Sequence, residues 1–444
     1  MADERPWAGR RLHLIGLGGA GMSGYARVAT QLGATVSGSD RADSPGLRAL
    51  AELGVDVHFG HDAANLPAGD DVEVVHSTAI PADNPERAAA RERGLPDHPR
   101  ADLLDELSLL KRTIAVAGAH GKTTTTSMVA HVLLRCGLQP AYLIGGALTT
   151  TGHNADWGAG DWLVVEADES DRSMLSLHVD VAVVTNVELD HHATFGSLAE
   201  LRDTFRALLA AAPQAVLWDR PDVVALRGDA PFVAFDAQPQ LDGAGSTFAW
   251  RGRTVRLGIP GAHNARNAAA ALEACVLAGA DEAEAVAALA DFAGAGRRFQ
   301  ELGVTATGAC VVDDYAHHPT EVAATIDAAR TQGARRVVAV FQPHLYSRTQ
   351  RLAREFGAAL ARADVAAVLD VYPARERAED YPGVSGLLVA EAAADAAEGR
   401  TVMWLPDFDV AEQALGGLLR AGDLCLVLGA GDVDALGRRL TSRA

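Results

Sequence analysis

The sequence is poor in lysine and has many more acidic than basic residues. Its 444 residues include only two lysines, Lys111 and Lys122, and the formal net charge is −19. Nucleic acids and anionic membranes repel an acidic chain, so a large surface for either is disfavoured. We therefore expect no nucleic-acid or membrane partner. We also expect small-molecule substrates, and no obligate protein partner is evident from the sequence.

Cysteines and long apolar runs are also scarce. The four cysteines are scattered and form no Cys-x-x-Cys pair. This pattern predicts neither a disulfide framework nor a zinc site, and it fits a reducing compartment. No apolar run approaches the ~18 residues that a membrane span needs. We expect a cytoplasmic protein.

Strands that alternate with alanine-rich helices indicate an α/β fold. The run at 336–341 is apolar after Arg336, and the run at 424–428 is apolar throughout, which is typical of strands buried on both faces of a parallel sheet. The length suggests about three domains. Three strands that run into glycines lead us to predict domains at 1–107, 108–296 and 297–444.

The first glycine-rich loop follows the strand at 12–15. Gly16, Gly18 and Gly21 fit the pattern G-x-G-x-x-G, and Asp40 ends the next strand near the usual spacing for an acid that binds a ribose. Such glycines let backbone N–H groups approach a pyrophosphate at a helix N-terminus. The motif indicates a diphosphate, which NAD, FAD and a UDP-sugar all carry; a tight turn without a ligand is the alternative.

A second loop follows the strand at 113–117 and opens a helix that stops at Gly137. Its backbone amides can cradle phosphates, Lys122 can reach the β and γ oxygens, and the Thr123 hydroxyl can bind Mg²⁺. Two residues separate its glycines, whereas a generic P-loop has four. The loop predicts an ATP site made of Gly118, Ala119, His120, Gly121, Lys122, Thr123 and Thr124.

Acidic residues follow the next predicted strand, at 162–165. Glu166 comes first after that strand and is the best candidate for a Mg²⁺ ligand at the carboxyl edge of the sheet. Asp168, Glu169 and Asp171, taken singly, are more typical of solvated acids. His191 lies beyond a further strand, and on chemistry alone it is more typical of a hydrogen-bonding residue, because Mg²⁺ prefers oxygen.

Together these segments resemble the Mur ligase family of peptidoglycan synthesis. The resemblance covers nearly the whole chain and includes the segments 186–191, 260–267, 296–299, 313–321 and 342–349. It implies a Rossmann-like N-terminal domain, a central P-loop-type ATPase domain with a mostly parallel sheet, and a Rossmann-like C-terminal domain. It also implies the member that joins L-alanine to UDP-N-acetylmuramate, with a ligase that attaches a preformed peptide as the alternative.

The resemblance assigns a role to each matching residue. The UDP-sugar would be held by Gly16, Gly18, Gly19, Ala20, Gly21, Ser39 and Asp40. Thr123 and Glu166 match ligands of an ATP-bound Mg²⁺, and His191 matches a ligand of a second Mg²⁺. His263, Asn264 and Asn267 match the segment that contacts adenine, with Arg297 assigned to the nucleotide and Arg298 to the substrate. The residues that would face the lactyl carboxylate and the amino acid are Tyr315, His317, His318, His344 and Arg348.

The implied reaction activates a carboxylate. The lactyl carboxylate attacks the γ-phosphorus of ATP to give an acyl phosphate and ADP. The L-alanine amine then attacks the acyl carbon, and phosphate leaves. We expect Lys122, His191, His344 and Arg348 to be catalytic. The base for the amine is left open between His191 and the pair His317 and His318. An oxidoreductase leaves the Lys122 loop unexplained, and a UDP-sugar sensor leaves the metal ligands unexplained.

Three departures from the family pattern stand out. Ala119 replaces a common threonine, Leu345 stands where many members have arginine, and the segment 201–209 has no lysine. The last departure agrees with the alanine-adding member, because the ligases that add later residues carry a carbamylated lysine.

Overall fold

The computed structural model describes residues 5–41, 43–190, 194–243 and 245–442. The chain forms two compact units, one of Met1–Asp236 with Ala269–Ala288 and the other of Ala237–Ala268 with Leu289–Ala444. The three-domain division at 108 and 297 stays a prediction. No helix in the described ranges is long and apolar enough to cross a bilayer.

The first sheet of the first unit is parallel, in the order β3-β2-β1-β4-β5. Its strands are β1 (Arg11–Ile15), β2 (Thr35–Asp40), β3 (Asp56–Phe59), β4 (Val72–His76) and β5 (Asp97–Pro99). Its helices are α1 (Ala20–Gln31), α2 (Pro45–Glu52), α3 (Pro85–Glu92) and α4 (Arg100–Leu110). This order places the first glycine loop after the central strand, at the point where the strand order reverses.

The second sheet has the order β12-β11-β10-β6-β9-β7-β8 and is parallel except for the β7–β8 pair. Its strands are β6 (Arg112–Ala117), β7 (Ala141–Leu148), β8 (His153–Asp156), β9 (Trp162–Glu166), β10 (Val181–Val184), β11 (Gln214–Trp218) and β12 (Val233–Phe235). Its helices are α5 (Lys122–Arg135), α6 (Leu198–Ala211) and α7 (Pro221–Val224). The second glycine loop therefore lies between the ends of β9 and β10.

Helix α1 packs between the two sheets of the first unit. A Cβ at Gly24 would lie 3.1 Å from Cδ2 of Leu143 and 3.2 Å from Cβ of Ala155, so this glycine lets α1 approach β7 and β8. Buried side chains of both sheets form one continuous core around this contact. The packing brings the start of α1 towards the carboxyl edge of the second sheet.

The second unit contains an antiparallel sheet, β13-β14-β15, and a larger sheet in the order β16-β17-β21-β18-β19-β20, in which β16 is antiparallel. The strands are β13 (Gln240–Leu241), β14 (Ser246–Trp250), β15 (Arg253–Leu257), β16 (Gln300–Val304), β17 (Cys310–Asp314), β18 (Arg336–Phe341), β19 (Val365–Val368), β20 (Thr401–Trp404) and β21 (Asp423–Leu428). The helices are α10 (Pro319–Arg330), α11 (Tyr346–Leu360), α12 (Gly386–Ala396), α13 (Phe408–Leu418) and α14 (Asp434–Thr441). Two helices, α8 (Ala262–Leu277) and α9 (Glu282–Ala290), contain residues of both units.

The predicted α/β class is confirmed. The predicted strands at 336–341 and 424–428 form β18 and β21, whose residues are almost all buried. Helix α5 ends at Arg135, and Gly137 follows with φ of +75°, as expected for a glycine that terminates a helix.

Candidate active site

The first glycine loop connects β1 to α1. Gly16 has φ of +87°, a conformation that favours glycine. The N–H of Gly18 donates to Oδ2 of Asp40 over 2.8 Å, and a Cβ at Gly18 would lie 3.0 Å from the same oxygen. The structure thus brings the predicted loop and the predicted acid together at one edge of the sheet. Their contact with a UDP-sugar stays a prediction, as it does for Gly19 and Ala20.

Ser39, predicted to bind substrate, has a fully buried side chain under this loop. Its hydroxyl donates to Oε2 of Glu86 over 2.6 Å, and Nε2 of His13 lies 3.2 Å from the same oxygen. Burial alone raises the pKa of Glu86, but the hydrogen bonds from His13, Ser39 and Asn65 outweigh it and lower the pKa to about 2. This geometry favours a supporting role for the Ser39 side chain.

The second loop is fixed by the end of β10. A Cβ at Gly118 would lie 2.1 Å from Oγ1 of Thr185, and the φ of Gly118 is +136°. The His120 N–H donates to Oδ1 of Asn186 over 2.9 Å, and Nδ2 of Asn186 donates to the His120 carbonyl over 2.8 Å. Gly121 precedes the first turn of α5 with φ of +81°. Hydrogen bonds to Asn186 therefore fix the backbone between the two glycines.

Lys122 lies in the first turn of α5 and is mostly buried. Its Nζ donates to both carboxylate oxygens of Glu169 over 2.9 Å and to the Gly118 carbonyl over 2.6 Å. Burial lowers the pKa of Lys122, but the charges of Glu169, Asp168 and Glu166 outweigh it, so the net shift is upward. The lysine is a fixed cation at the mouth of the loop, as a phosphate site requires.

Thr123 and Glu166 meet beside Lys122. The Thr123 hydroxyl donates to Oε2 of Glu166 over 3.2 Å, and the Gly145 N–H donates to Oε1 over 2.6 Å. A hydroxyl and a carboxylate at this spacing are the oxygen donors that Mg²⁺ prefers. These two residues fit the metal that the family implies, although their ligand role stays a prediction.

Two further residues predicted to bind ATP, His120 and Thr124, also lie at the second loop. The Nε2 atom of His120 lies 3.2 Å from Oε2 of Glu188, and Thr124 is buried in the first turn of α5. His191, predicted as a metal ligand and catalytic group, lies outside the described residues.

The predicted adenine segment opens helix α8 in the second unit. His263 lies against Gly261, whose φ is +100° and whose added Cβ would lie 2.5 Å from Cε1 of the imidazole. Burial, followed by the charge of Arg266, lowers the pKa of His263 to about 4, so the ring is neutral at pH 7. Nδ2 of Asn264 donates to the Pro260 carbonyl over 2.7 Å, and Nδ2 of Asn267 lies 3.4 Å from Oδ1 of Asn264. Contact with adenine stays a prediction.

Arg297 is heavily engaged within the second unit. Its Nε donates to Oδ2 of Asp313 over 3.0 Å, and its terminal nitrogens donate to the carbonyls of Gly431 and Gly429 over 3.0 and 2.9 Å. This geometry favours a structural role over the predicted nucleotide contact. The neighbouring Arg298 lies over the ring of Tyr315, with its Cζ 4.9 Å from the centroid.

Rings gather at the carboxyl edge of the large sheet. The Tyr315 and His317 centroids are 5.3 Å apart, and those of His317 and His344 are 6.1 Å apart. His344 also stacks on Tyr372, with ring centroids 5.8 Å apart. Nη1 of the buried Arg348 lies 3.3 Å from Nδ1 of His344. The structure therefore brings four predicted substrate residues into one cluster.

The last predicted residue, His318, caps helix α10. Its Nδ1 accepts the Thr320 N–H at 3.4 Å, and Glu321 completes a capping box. This contact gives the imidazole a structural role at the start of α10, while its predicted substrate role stays untested. Leu345 is buried and precedes α11 with φ of +71°.

Sequence reasoning assigned no role to several residues that shape these sites. Thr185 and Asn186 could have been identified, because they end an apolar strand next to β6 at the same sheet edge. Gly145 and Tyr372 carry no comparable signal. Glu169, read as a solvated acid, is in fact buried against Lys122, so that interpretation is wrong.

The fold and its loops define a class of α/β proteins in which two sheets, one parallel and one mostly parallel, each carry a glycine-rich loop of the kind that binds phosphates. Three family models match in succession, described as Mur ligase family, catalytic domain (residues 11–112), Mur ligase middle domain (116–275) and Mur ligase, glutamate ligase domain (297–431). The chain belongs to the Mur ligase family.

Individual relatives extend over almost the whole chain. A UDP-N-acetylmuramate–L-alanine ligase of Streptomyces avermitilis is 45% identical over 100% of this chain and 99% of its own length. That of Thermobifida fusca is 46% identical over 97% and 96%. The crystal structure of a UDP-N-acetylmuramate–alanine ligase from Thermotoga maritima matches with a TM-score of 0.83 at 27% identity, covering 97% of this chain and 98% of that one. A murein peptide ligase from Psychrobacter arcticus matches with a TM-score of 0.72 at 25% identity and the same coverage.

Proposed function

We propose that this chain is an ATP-dependent ligase that joins L-alanine to the lactyl carboxylate of UDP-N-acetylmuramate through an acyl phosphate. The observation that carries the proposal is the second loop, where Lys122, Thr123 and Glu166 meet between the ends of β9 and β10. This arrangement suits a triphosphate with a divalent cation. Relatives that carry the alanine-adding name support the choice of substrates.

The predicted site residues would have separate roles in the reaction. Lys122 would offset charge on the transferring phosphoryl group, and Thr123 and Glu166 would hold Mg²⁺, which when bound neutralises the repulsion between a carboxylate and a triphosphate. The cluster of Tyr315, His344 and Arg348 would orient a carboxylate substrate, because a guanidinium fork matches carboxylate geometry. His191, His317 and His318 remain the candidates for the base.

Phosphate release tests the proposal directly. We expect the purified protein to release phosphate from ATP with Mg²⁺ only when UDP-N-acetylmuramate and L-alanine are both present. Omission of L-alanine or of the UDP-sugar is the control, and Glu166→Gln should impair turnover. Phosphate release that needs neither added substrate would contradict the proposal.

Competition separates this proposal from its alternative, a ligase that attaches a preformed peptide. Both kinds of relative share the fold, but the alanine-adding structure matches at the higher TM-score, 0.83 against 0.72. We expect L-alanine to be consumed in preference to a peptide that begins with L-alanine. Preference for the peptide would favour the recycling enzyme.

A further inference from the structure

Arg100 lies where the two loops of the first unit approach each other. It is the first residue of α4, and its Nη2 donates to Oδ2 of Asp168 over 3.2 Å and to Oδ2 of Asp171 over 2.9 Å. The other terminal nitrogen, Nη1, faces the first loop, because a Cβ at Gly21 would lie 3.0 Å from it. One guanidinium thus contacts the acidic turn after β9 and fills the space beside the first glycine loop.

This position gives the third glycine of the motif a specific purpose. In G-x-G-x-x-G loops the third glycine commonly allows close packing of helix and strand. Here the atom nearest to an added Cβ at Gly21 belongs to the Arg100 side chain. Gly21 is therefore the residue that lets a cation reach the start of α1.

A guanidinium is an unusual group to find at the N-terminus of a helix, and Arg100 lies at the start of α4 and beside the start of α1. A positive charge near the N-terminus of a helix opposes the helix dipole, so the arrangement has a cost that Asp168 and Asp171 offset. Glu169, in the same acidic turn, pairs with Lys122, whose Nζ lies 2.9 Å from both of its carboxylate oxygens. Alternating charges therefore run from the first loop to the second, through Arg100, Asp168, Lys122 and Glu169.

We propose that Arg100 is a positioning residue for both substrates: it provides positive charge beside the diphosphate on the first loop, and it holds the acidic turn that places Glu169 against Lys122. The inference rests on the proposed function, because it takes the UDP-sugar as the ligand of the first loop. Loss of Arg100 should weaken the binding of both the UDP-sugar and the nucleotide. Loss of a residue in one loop should weaken only the ligand of that loop.

Binding measurements on matched arginine variants test this role. Arg10 is the control: its side chain is 22% exposed, as is that of Arg100, and it also pairs with two carboxylates, Glu73 and Glu106. It precedes β1, at the opposite edge of the sheet. Calorimetry would give the Kd of UDP-N-acetylmuramate and of a non-hydrolysable ATP analogue with Mg²⁺, and thermal unfolding would report stability.

We expect Arg100→Met to raise both Kd values by about tenfold, or ~1.4 kcal/mol each, and Arg10→Met to leave both within twofold. Arg100→Lys should restore the nucleotide Kd but not the UDP-sugar Kd, because one ammonium can pair with the carboxylates but cannot also reach the first loop. The double variant Arg100→Met/Asp168→Asn should bind the nucleotide no more weakly than Arg100→Met alone. If Arg100→Met fails to fold, Gly21→Ala, which displaces Nη1, should still raise the UDP-sugar Kd.

Other outcomes would overturn the inference. An Arg100→Met variant that weakens only one ligand, an Arg10→Met variant that reproduces both losses, or an Arg100→Lys variant that restores both affinities would each do so. A wild-type protein that binds no UDP-N-acetylmuramate would refute the proposed function itself. Wild-type ligation together with unchanged binding in Arg100→Met would refute only the role of Arg100.

Discussion

Both glycine loops follow the central strand of a fully or mostly parallel sheet, but different groups hold the two loops. In the first loop, added Cβ atoms at Gly18 and Gly21 would meet side chains, each at 3.0 Å, namely Oδ2 of Asp40 and Nη1 of Arg100. In the second loop, a Cβ at Gly118 would lie 2.1 Å from Oγ1 of Thr185 and 3.0 Å from the Asn186 carbonyl oxygen. Glycine makes room for charged side chains in the first loop and for the segment that follows β10 in the second loop.

The charges at the two loops differ in the same way. The first loop donates a backbone N–H to the carboxylate of Asp40, a group that suits a ribose hydroxyl. The second presents the ammonium of Lys122, a group that suits phosphate oxygens. One strand–loop–helix pattern therefore serves two kinds of ligand contact, and the side chains around it decide which.

The largest expected effect breaks the second loop and spares the first. Lys122→Ala should reduce ligation by at least a hundredfold, by analogy with the ~3–4 kcal/mol that one oxyanion donor provides, while the Kd for UDP-N-acetylmuramate stays unchanged. Lys111→Ala is the control, because Nζ of Lys111 donates to the Gly158 carbonyl over 2.8 Å, outside the loop. Steady-state rates and calorimetry measure both; a variant that kept a tenth of wild-type activity would rule out the phosphate role.

Gly118→Ala tests whether the second loop needs its glycine for steric reasons. The added Cβ would overlap the Thr185 hydroxyl in a backbone with φ of +136°, so we expect a loss of roughly 2–5 kcal/mol of stability from overpacking and strain. Gly137→Ala is the matched control, because φ is also positive there but no atom lies within 4 Å; it should lose only about 1 kcal/mol. Equal losses in urea unfolding of the two variants would show that the clash does not matter.

The support beneath the first loop should depend on pH. The pKa of Glu86 is lowered to about 2 in the folded protein from 4.5, so its ionised form stabilises the fold by on the order of 3 kcal/mol near neutral pH. This contribution is complete above about pH 4.5 and is lost as the pH falls towards 2. Glu86→Gln should therefore be less stable than the wild type at pH 7, and the difference should shrink at pH 3. A constant difference in unfolding free energy across that range would contradict the assignment.

The smallest expected effect concerns the acid of the first loop. Asp40→Asn keeps an oxygen that can accept the Gly18 N–H but removes the charge, so we expect a three- to tenfold rise in KM for the UDP-sugar, about 1 kcal/mol. The Kd of the ATP analogue should not change. Asp43→Asn, which removes an exposed partner of Arg48, is the control. A change in nucleotide binding in Asp40→Asn would mean that the two loops are not separable in this way.

Much of the fold and part of the site follow from sequence pattern. Continuous apolar runs predicted buried parallel strands, and β18 matches its predicted run at both ends. Because the carboxyl ends of parallel strands share one edge, Lys122, Thr123 and Glu166 were correctly expected to lie together. The partner of Lys122 was not predictable, since the acids after β9 look alike in sequence and only the shape of their turn directs Glu169 inward.

The sequence by itself determined the strand–loop–helix units, because backbone conformation and amphipathic periodicity depend on residues close together in the chain. It also determined which loops have the glycines and the lysine of a phosphate site. The tertiary structure decided which distant side chains meet: Glu86 with His13 and Ser39, Asn186 with His120, and Arg100 with Asp168 and Gly21. These contacts depend on strand order and on how α1 packs between two sheets, and no local pattern encodes either.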